Sequence, residues 1–287
     1  MKTPILLVDA NAIAHQAKHA MELNYEGMQT GVMFGFLRQI IKISNELNTN
    51  KIFFFWDSSK SNRRIMFPEY KANRRKDKVP TEKFFDDQCY KQFNLLKHSL
   101  LPDLGFKCYQ AEGFEADDII ATAVQNHKFD FIIVSGDTDL YQLLSDSVSL
   151  YKSNNKTIYS INDFKNEYNI TPAQWIQVKA IAGCTTDNIP GLPNIGEITA
   201  CKYLRGELNY KTEAYKKIKS SFGKSTIEKN LPLVRLPLEG TPVFPLAIPK
   251  EFQYSLTNFI RICDKYGFNS MLERGYLDKC KKTLNLH

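Results

Sequence analysis

The chain has 287 residues, 43% of them hydrophobic, enough for one large domain or two intimately packed ones around a real core. Six cysteines (Cys89, Cys108, Cys184, Cys201, Cys263, Cys280) are scattered without CxxC pairs or histidine partners, which argues against a disulfide framework or a zinc ribbon and for a reducing cytoplasm. The net charge is +7; the first apolar run stops at Asp9, short of the roughly 7–15 residues of a signal peptide, and no run approaches the roughly 20 residues of a membrane span.

In chain order, Ile5–Val8 reads as a short buried strand ending on Asp9, Val32–Leu47 as a helix, and Ile52–Trp56 as a second strand ending on Asp57. From Lys60 to Lys83 nine Lys/Arg stand against three acids. A helix over Phe84–Leu101 and a strand over Lys107–Tyr109 follow. Glu112-Gly113-Phe114-Glu115 then leads into a helix over Ala116–Asn126, with Ile119, Ile120 and Val124 on its buried side and acids in its first turn, where the macrodipole favours them. Phe131–Ser135 is a fourth strand, after which come Asp137 and Asp139. From Glu112 to Asp139 seven acids face one Lys, the reverse of the basic segment. The alternation of strands and helices predicts a parallel α/β sheet. From about Thr171 the pattern turns to helices joined by the Gly/Pro-rich loop Ile189-Pro-Gly-Leu-Pro-Asn-Ile-Gly196, with a helix starting near Glu197, a Lys-rich stretch from Lys202 to Lys229, and an extended segment over Thr241–Pro249. The expected division is 1–170 as a catalytic core and 171–287 as a C-terminal region packed on it.

In open parallel sheets, ligands bind beyond the carboxyl ends of the strands. Those ends are acidic here, and Asp9, Asp57, Glu115, Asp117, Asp118, Asp137 and Asp139 are expected to converge on one edge. Like charges about 4 Å apart repel by several kcal/mol at an effective dielectric near 20, so a counter-charge is required. Carboxylates without His or Cys are the donor set of Mg²⁺ or Mn²⁺, and this many suit two ions, the arrangement that serves in-line phosphoryl displacement. Beside them, Tyr70-Lys71-Ala72-Asn73-Arg74-Arg75-Lys76 supplies phosphate donors and an aromatic able to stack on a base. The loop Gly191–Gly196, with Asn194 between its glycines, presents backbone N–H groups to a phosphate or is an ordinary helix–helix turn.

Taken together, Val8-Asp9-Ala10-Asn11, Phe55-Trp56-Asp57, Pro68-Glu69-Tyr70-Lys71-Ala72-Asn73-Arg74, Glu115-Ala116-Asp117-Asp118, Ser135-Gly136-Asp137-Thr138-Asp139 and Asp187-Asn188-Ile189-Pro190-Gly191 with Ile195-Gly196 resemble the structure-specific 5′ nuclease family. This family includes bacteriophage flap endonucleases and the 5′-nuclease domain of bacterial DNA polymerase I. The resemblance implies a PIN-like α/β core, a helical arch near residues 70–101, and a C-terminal helix-hairpin-helix element holding duplex DNA at Gly191, Asn194 and Gly196, with a K⁺ ion there. Asp9, Asp57, Glu115, Asp117 and Asp118 match the first-metal acids, and Asp137, Asp139 and Asp187 the second. Lys71 and Arg74 match residues that polarise the scissile phosphodiester, Tyr70 an aromatic that meets the displaced base, and Arg75 and Lys76 extend the DNA-binding arch. The implied activity is metal-dependent cleavage at 5′ flaps or free 5′ ends of DNA, leaving 5′-phosphate and 3′-hydroxyl products in replication or repair.

One position departs from the family. Its usual Gly-Asp-x-x-Asp-Asn is Gly183-Cys184-Thr185-Thr186-Asp187-Asn188, which puts a thiol where a second-metal carboxylate is expected. Either Cys184 weakens that site, or it is a small apolar neighbour and Asp187 with water fills the gap. The competing readings are a branched-DNA-binding protein with weakened or lapsed nuclease activity, and a PIN-type ribonuclease, which accounts for neither the basic arch nor the hairpin. The expected setting is a monomer in the cytoplasm of a bacterial or phage-infected cell, acting on flapped, branched or free-ended DNA with replication proteins and without a membrane.

Overall fold

A computed structural model of the chain describes residues 3–18, 23–75 and 80–287, without the side chains of Arg75 and Pro80. The order begins β1 (Ile5–Asp9), α1 (Ala10–Lys18), a tight hairpin β2 (Asn24–Tyr25) and β3 (Met28–Gln29), α2 (Gly31–Glu46), β4 (Ile52–Trp56) and α3 (Asn62–Met66). A 3₁₀ turn at Ala72–Arg75 follows. Then α4 (Pro80–Leu95) runs through a π turn at Leu96–Leu100 into α5 (Leu101–Leu104). Next come β5 (Lys107–Gln110), α6 (Ala116–Asn126), β6 (Phe131–Val134), a 3₁₀ segment over Thr138–Leu143, β7 (Val148–Lys152) and β8 (Thr157–Tyr159).

Six of these strands form one sheet in the order β5-β4-β1-β6-β7-β8, parallel except for β8, which runs antiparallel to β7. The parallel α/β core expected from the alternation is therefore present, extended by β7 and β8. β1, β4 and β6 are buried nearly throughout, the state in which parallel strands become continuous apolar runs such as Ile-Phe-Phe-Phe-Trp. Because the chain steps from β1 outward to β4 and β5 and then returns to the other side of β1 for β6, the strand order reverses between β1 and β6. That switch point opens a crevice at the carboxyl edge, and Asp9, Asp57 and Ser135 stand at the ends of the three central strands.

The rest is helical: α7 (Ile161–Tyr168), α8 (Pro172–Ala182), a short ladder of β9 (Gly183–Cys184) with β10 (Ile189–Pro190), α9 (Glu197–Leu204), α10 (Glu213–Lys219), α11 (Ser221–Val234), α12 (Leu256–Tyr266), α13 (Asn269–Leu272) and α14 (Arg274–Leu284). No regular structure interrupts 241–249, the segment expected to be extended. One continuous apolar core joins the sheet to this region. Trp175, fully buried in α8, packs against Tyr141, Phe164 and Tyr168 and donates its indole N–H to Thr138 O at 2.8 Å. The stretch that carries Asp137 and Asp139 is thereby fastened to α8. Among the described residues no helix is long and apolar enough to cross a membrane.

The expected arch segment is anchored at its far end, where Cys89, Phe93 and Leu96 enter the core and Gln92 Oε1 accepts from the N–H groups of Val32 and Met33. Residues 81–85 of α4 are exposed. Lys76 lies outside the described residues, as does the side chain of Arg75.

Candidate metal and nucleic-acid site

Seven acids gather at the carboxyl edge, each set by local backbone. Asp9 accepts from Ala12 N–H at 3.0 Å and, across the switch point, from Ser135 Oγ at 3.1 Å. Asp57 accepts from Ala116 N–H at 2.8 Å, which couples β4 to the first turn of α6, and its own N–H donates to Asn11 Oδ1 at 2.9 Å. Asp137 accepts from the N–H of Asp139 at 2.8 Å. Burial, then repulsion from Asp57, pushes the Asp9 carboxyl up to about 7. Burial also raises Asp57, Asp137, Asp139 and Asp187, and Asp117 rises well above its ordinary value through burial and the charges of Asp9, Asp137, Asp57 and Glu115. Asp117 Oδ1 is shut off from solvent and has no hydrogen-bond partner among the described residues. Desolvated carboxylates that resist ionisation and an orphaned carboxylate oxygen are what a hard divalent cation would satisfy, so this set fits the metals its chemistry implies.

Cations close the site from one side. Lys71, whose backbone is left-handed at φ 54°, puts Nζ 2.7 Å from Glu115 Oε1 and 3.8 Å from Asp187 Oδ1, while Arg74 Nη2 lies 2.8 Å from Asp187 Oδ1. The Lys71 main chain is tied down by its N–H to Asp187 O at 2.9 Å. Burial would raise the Glu115 carboxyl, but Lys71 and Arg63 outweigh it and hold it below its usual range. Tyr70 O–H lies 2.8 Å from Glu115 Oε2 and 3.0 Å from Asp187 Oδ2, one proton for two carboxylates. Its ring is only 2% exposed, so Tyr70 orients acids here and has no free face for a displaced base.

Asp118 stands apart from the other acids of the first group. Its two oxygens take a bidentate contact from Arg63, at 2.6 and 2.8 Å, plus the N–H groups of Glu115 at 3.0 Å and Leu238 at 2.8 Å, and both partners are buried. Every lone pair that would reach a metal is already used, so this carboxylate joins α3, α6 and the 233–238 segment.

The third group meets at β9. Cys184 Sγ and one carboxylate oxygen each from Asp139 and Asp187 lie within 4.8 Å of one another, all three residues buried. Burial and the neighbouring carboxylates push the Cys184 thiol up, and it contacts Thr186 Oγ1 at 3.0 Å. Lys179, 4% exposed, touches Asp139 Oδ1 at 2.9 Å, Glu197 Oε1 at 3.0 Å and Thr138 Oγ1 at 2.9 Å. The Gly191–Gly196 loop then joins α8 to α9. A side chain at Gly191 would strike the Ala182 backbone, Leu192 N–H binds Ile181 O at 2.8 Å, Asn194 is left-handed at φ 63°, and Gly196 caps α9 with open space around its Cα.

Sequence reasoning missed Arg63 and Lys179, and named Ser135 within its motif without giving it a role. Lys179 did leave a signal, a lone charge in the apolar run Ile176–Ala182. Arg63 left none, being one of nine cations in the basic segment.

A cleft of about 710 Å³ opens beside the acids, bounded by Asn11, Asp57, Lys71, Arg74, Tyr90 and Glu115. The family model for the 5′-3′ exonuclease N-terminal resolvase-like domain matches residues 4–169. The 5′-3′ exonuclease of Buchnera aphidicola is 32% identical over 218 residues, covering 73% of this chain and 72% of that protein. DNA polymerase I of Bacillus caldotenax is 34% identical over 216 residues, 71% of this chain but 24% of the polymerase, so the chain spans about a quarter of such relatives. Among solved structures, a bacteriophage T5 flap endonuclease in complex with DNA and metal ions superposes with a TM-score of 0.67 at 22% identity, over 98% of each chain. Flap endonuclease-1 from Methanococcus jannaschii superposes at 0.57 and 15% identity, over 99% of this chain and 93% of its own. The chain belongs to the 5′-3′ exonuclease family, and residues 4–169 are its N-terminal resolvase-like domain.

Proposed function

We propose that the protein is a structure-specific 5′ nuclease that hydrolyses phosphodiester bonds at 5′ flaps or free 5′ ends of DNA, with two divalent ions, leaving 5′-phosphate and 3′-hydroxyl products in replication or repair. The observation that carries this reading is the convergence of Asp9, Asp57, Glu115, Asp117, Asp137, Asp139 and Asp187 at the switch point, with Lys71 and Arg74 resting on two of them. The T5 flap endonuclease bound to DNA and metal ions supports it as an analogue of the same fold.

When bound, Mg²⁺ or Mn²⁺ ions here supply counter-charge and Lewis-acid polarisation of water and phosphate. Asp9, Asp57, Glu115 and Asp117 would hold one ion, and Asp137, Asp139 and Asp187 the other. Asn11 and the Ala116 N–H fix the Asp57 carboxylate, and Ser135 fixes Asp9, so these oxygens need no reorganisation. Lys71 and Arg74, paired with Glu115 and Asp187, turn toward the scissile phosphate and offset its developing charge. Residues 1–170 form the catalytic unit. Residues 171–287 grip duplex through the α8–α9 hairpin, where Gly191, Asn194 and Gly196 present backbone to phosphate and a K⁺ ion, and through the lysines of α10 and α11. Arg75 and Lys76 extend the DNA contact along the arch. The protein works as a monomer in the cytoplasm of a bacterial or phage-infected cell, beside replication proteins.

The test is cleavage of a 5′-labelled flap by the pure chain with Mg²⁺, Mn²⁺ or EDTA, beside Asp137→Ala. Metal-dependent cutting near the junction, abolished in Asp137→Ala with DNA binding retained, is the expected result. Cleavage that survives EDTA or the substitution would overturn the reading.

A further inference from the structure

Every acid of the site offers oxygen, and at one position the chain supplies sulfur instead. Cys184 Sγ, with an oxygen of Asp139 and an oxygen of Asp187, forms the one group among the described residues whose donor atoms lie mutually within 4.8 Å. The placement is built by the fold. Cys184 pairs with Ile189 in the β9–β10 ladder, the 3₁₀ turn Thr185–Asp187 folds Asp187 back over it, and α8 delivers Lys179 to Asp139 at 2.9 Å.

The chemistry of this donor set differs from that of the first group. Mg²⁺ requires near-ideal octahedral oxygen coordination and is poorly served by sulfur, whereas thiolate favours softer divalent ions. Three protein donors with an open fourth position is the arrangement of tetrahedral catalytic sites.

Resting on the reading that a second divalent ion is held here, we propose that Asp139, Cys184 and Asp187 form a mixed sulfur–oxygen site that selects a thiophilic divalent cation of the Zn²⁺/Co²⁺ class over Mg²⁺, while the all-oxygen group around Asp9 and Asp117 keeps the hard-ion preference. On binding, the Cys184 S–H proton passes to solvent and the sulfur lone pair bonds to the ion. Lys179 stays on Asp139 as its positioning cation. The competing occupant of this spot is no ion at all, with Cys184 an apolar neighbour hydrogen-bonded to Thr186.

The experiment titrates the full, metal-free chain with Co²⁺ and follows the sulfur-to-cobalt charge-transfer absorption together with the visible ligand-field bands. The charge-transfer band should grow to a plateau at one ion per chain and vanish in Cys184→Ser, while circular dichroism shows the variant folded. In Cys184→Asp the band should vanish and calorimetry should report Mg²⁺ binding at this site tightened on the order of ten-fold or more. No band in the natural chain, or a band undiminished in Cys184→Ser, overturns the proposal. The absorption reads metal at sulfur whether or not DNA is cut. Its absence beside intact Mg²⁺-dependent flap cleavage therefore sinks this site alone, and its presence in a chain that cuts nothing leaves the site standing and sinks the nuclease reading.

Discussion

Two adjacent aspartates at the start of α6 do opposite work. Asp118 is buried in a bidentate pair with Arg63, and removing one partner of such a pair leaves an uncompensated charge, so Asp118→Ala should cost about 3–5 kcal/mol in chemical denaturation. Asp117 is destabilised by burial and by like charges around it, so Asp117→Asn should raise the melting temperature of the metal-free chain while weakening its affinity for divalent ions. If the two variants moved stability in the same direction, the division of roles would be wrong. Lys71 belongs to the same argument. Its ammonium is held at Glu115, and on the proposed reading it serves the scissile phosphate; loss of one preorganised charge typically lowers turnover about 10²-fold or more. Single-turnover cleavage by Lys71→Ala should fall by that order, with the flap dissociation constant moving far less. The sequence put Asp117 and Asp118 together among the first-metal acids, and the family resemblance put Lys71 at the scissile phosphodiester. The partner that separates Asp118 from the rest, Arg63, is 55 residues away and only the fold brings it there.

At the scale of elements, α8, the β9–β10 ladder and α9 act as one clasp between the acidic edge and the helical region. Gly191 passes directly over the end of α8, and an added Cβ would meet the Ala182 carbonyl, a backbone group that cannot turn aside. Gly191→Ala should therefore destabilise the chain by about 1–3 kcal/mol and weaken duplex binding with it, as read by denaturation and by a gel-shift titration. α2, α4 and α6 were legible because their apolar residues recur at helical spacing, whereas α1, α3 and α7 were not read. α6 was read at its observed bounds, and α2 within one residue at each end. β7 and β8 were not read. Val-Ser-Leu-Tyr-Lys and Thr-Ile-Tyr are short and partly exposed, and each becomes a strand only because β6 offers an edge to pair with. α4 and the π turn were read as one helix, since local spacing does not reveal a one-residue widening of the turn.

For the molecule as a whole, the acidic edge couples stability to pH and metal. Asp9 titrates near 7 in the folded chain against about 4 when unfolded, so between those values the folded state holds a proton the unfolded state has released. That contribution is fully present at low pH and is lost as pH rises through the folded value. Asp57, Asp117, Asp137, Asp139 and Asp187 push the same way, and Glu115 alone among these acids pushes against. A divalent ion replaces the missing positive charge, so added Mg²⁺ should raise the melting temperature more at about pH 8 than at about pH 5. An equal increment at both would mean that the carboxylates are not the binding groups. What the sequence determined by itself is local: strands ending in acids, an amphipathic α6, a basic segment and a Gly-rich hairpin, all consequences of side-chain spacing along one chain, while the thiol at Cys184 stood out only through the family resemblance. The tertiary structure decided which of those acids face one another, which one Arg63 removes from the set, that the Tyr70 ring is buried, and that Cys184 meets Asp139 and Asp187. These are long-range pairings, fixed by where the sheet reverses its order and by how α8 is fastened to it, and no local pattern encodes them.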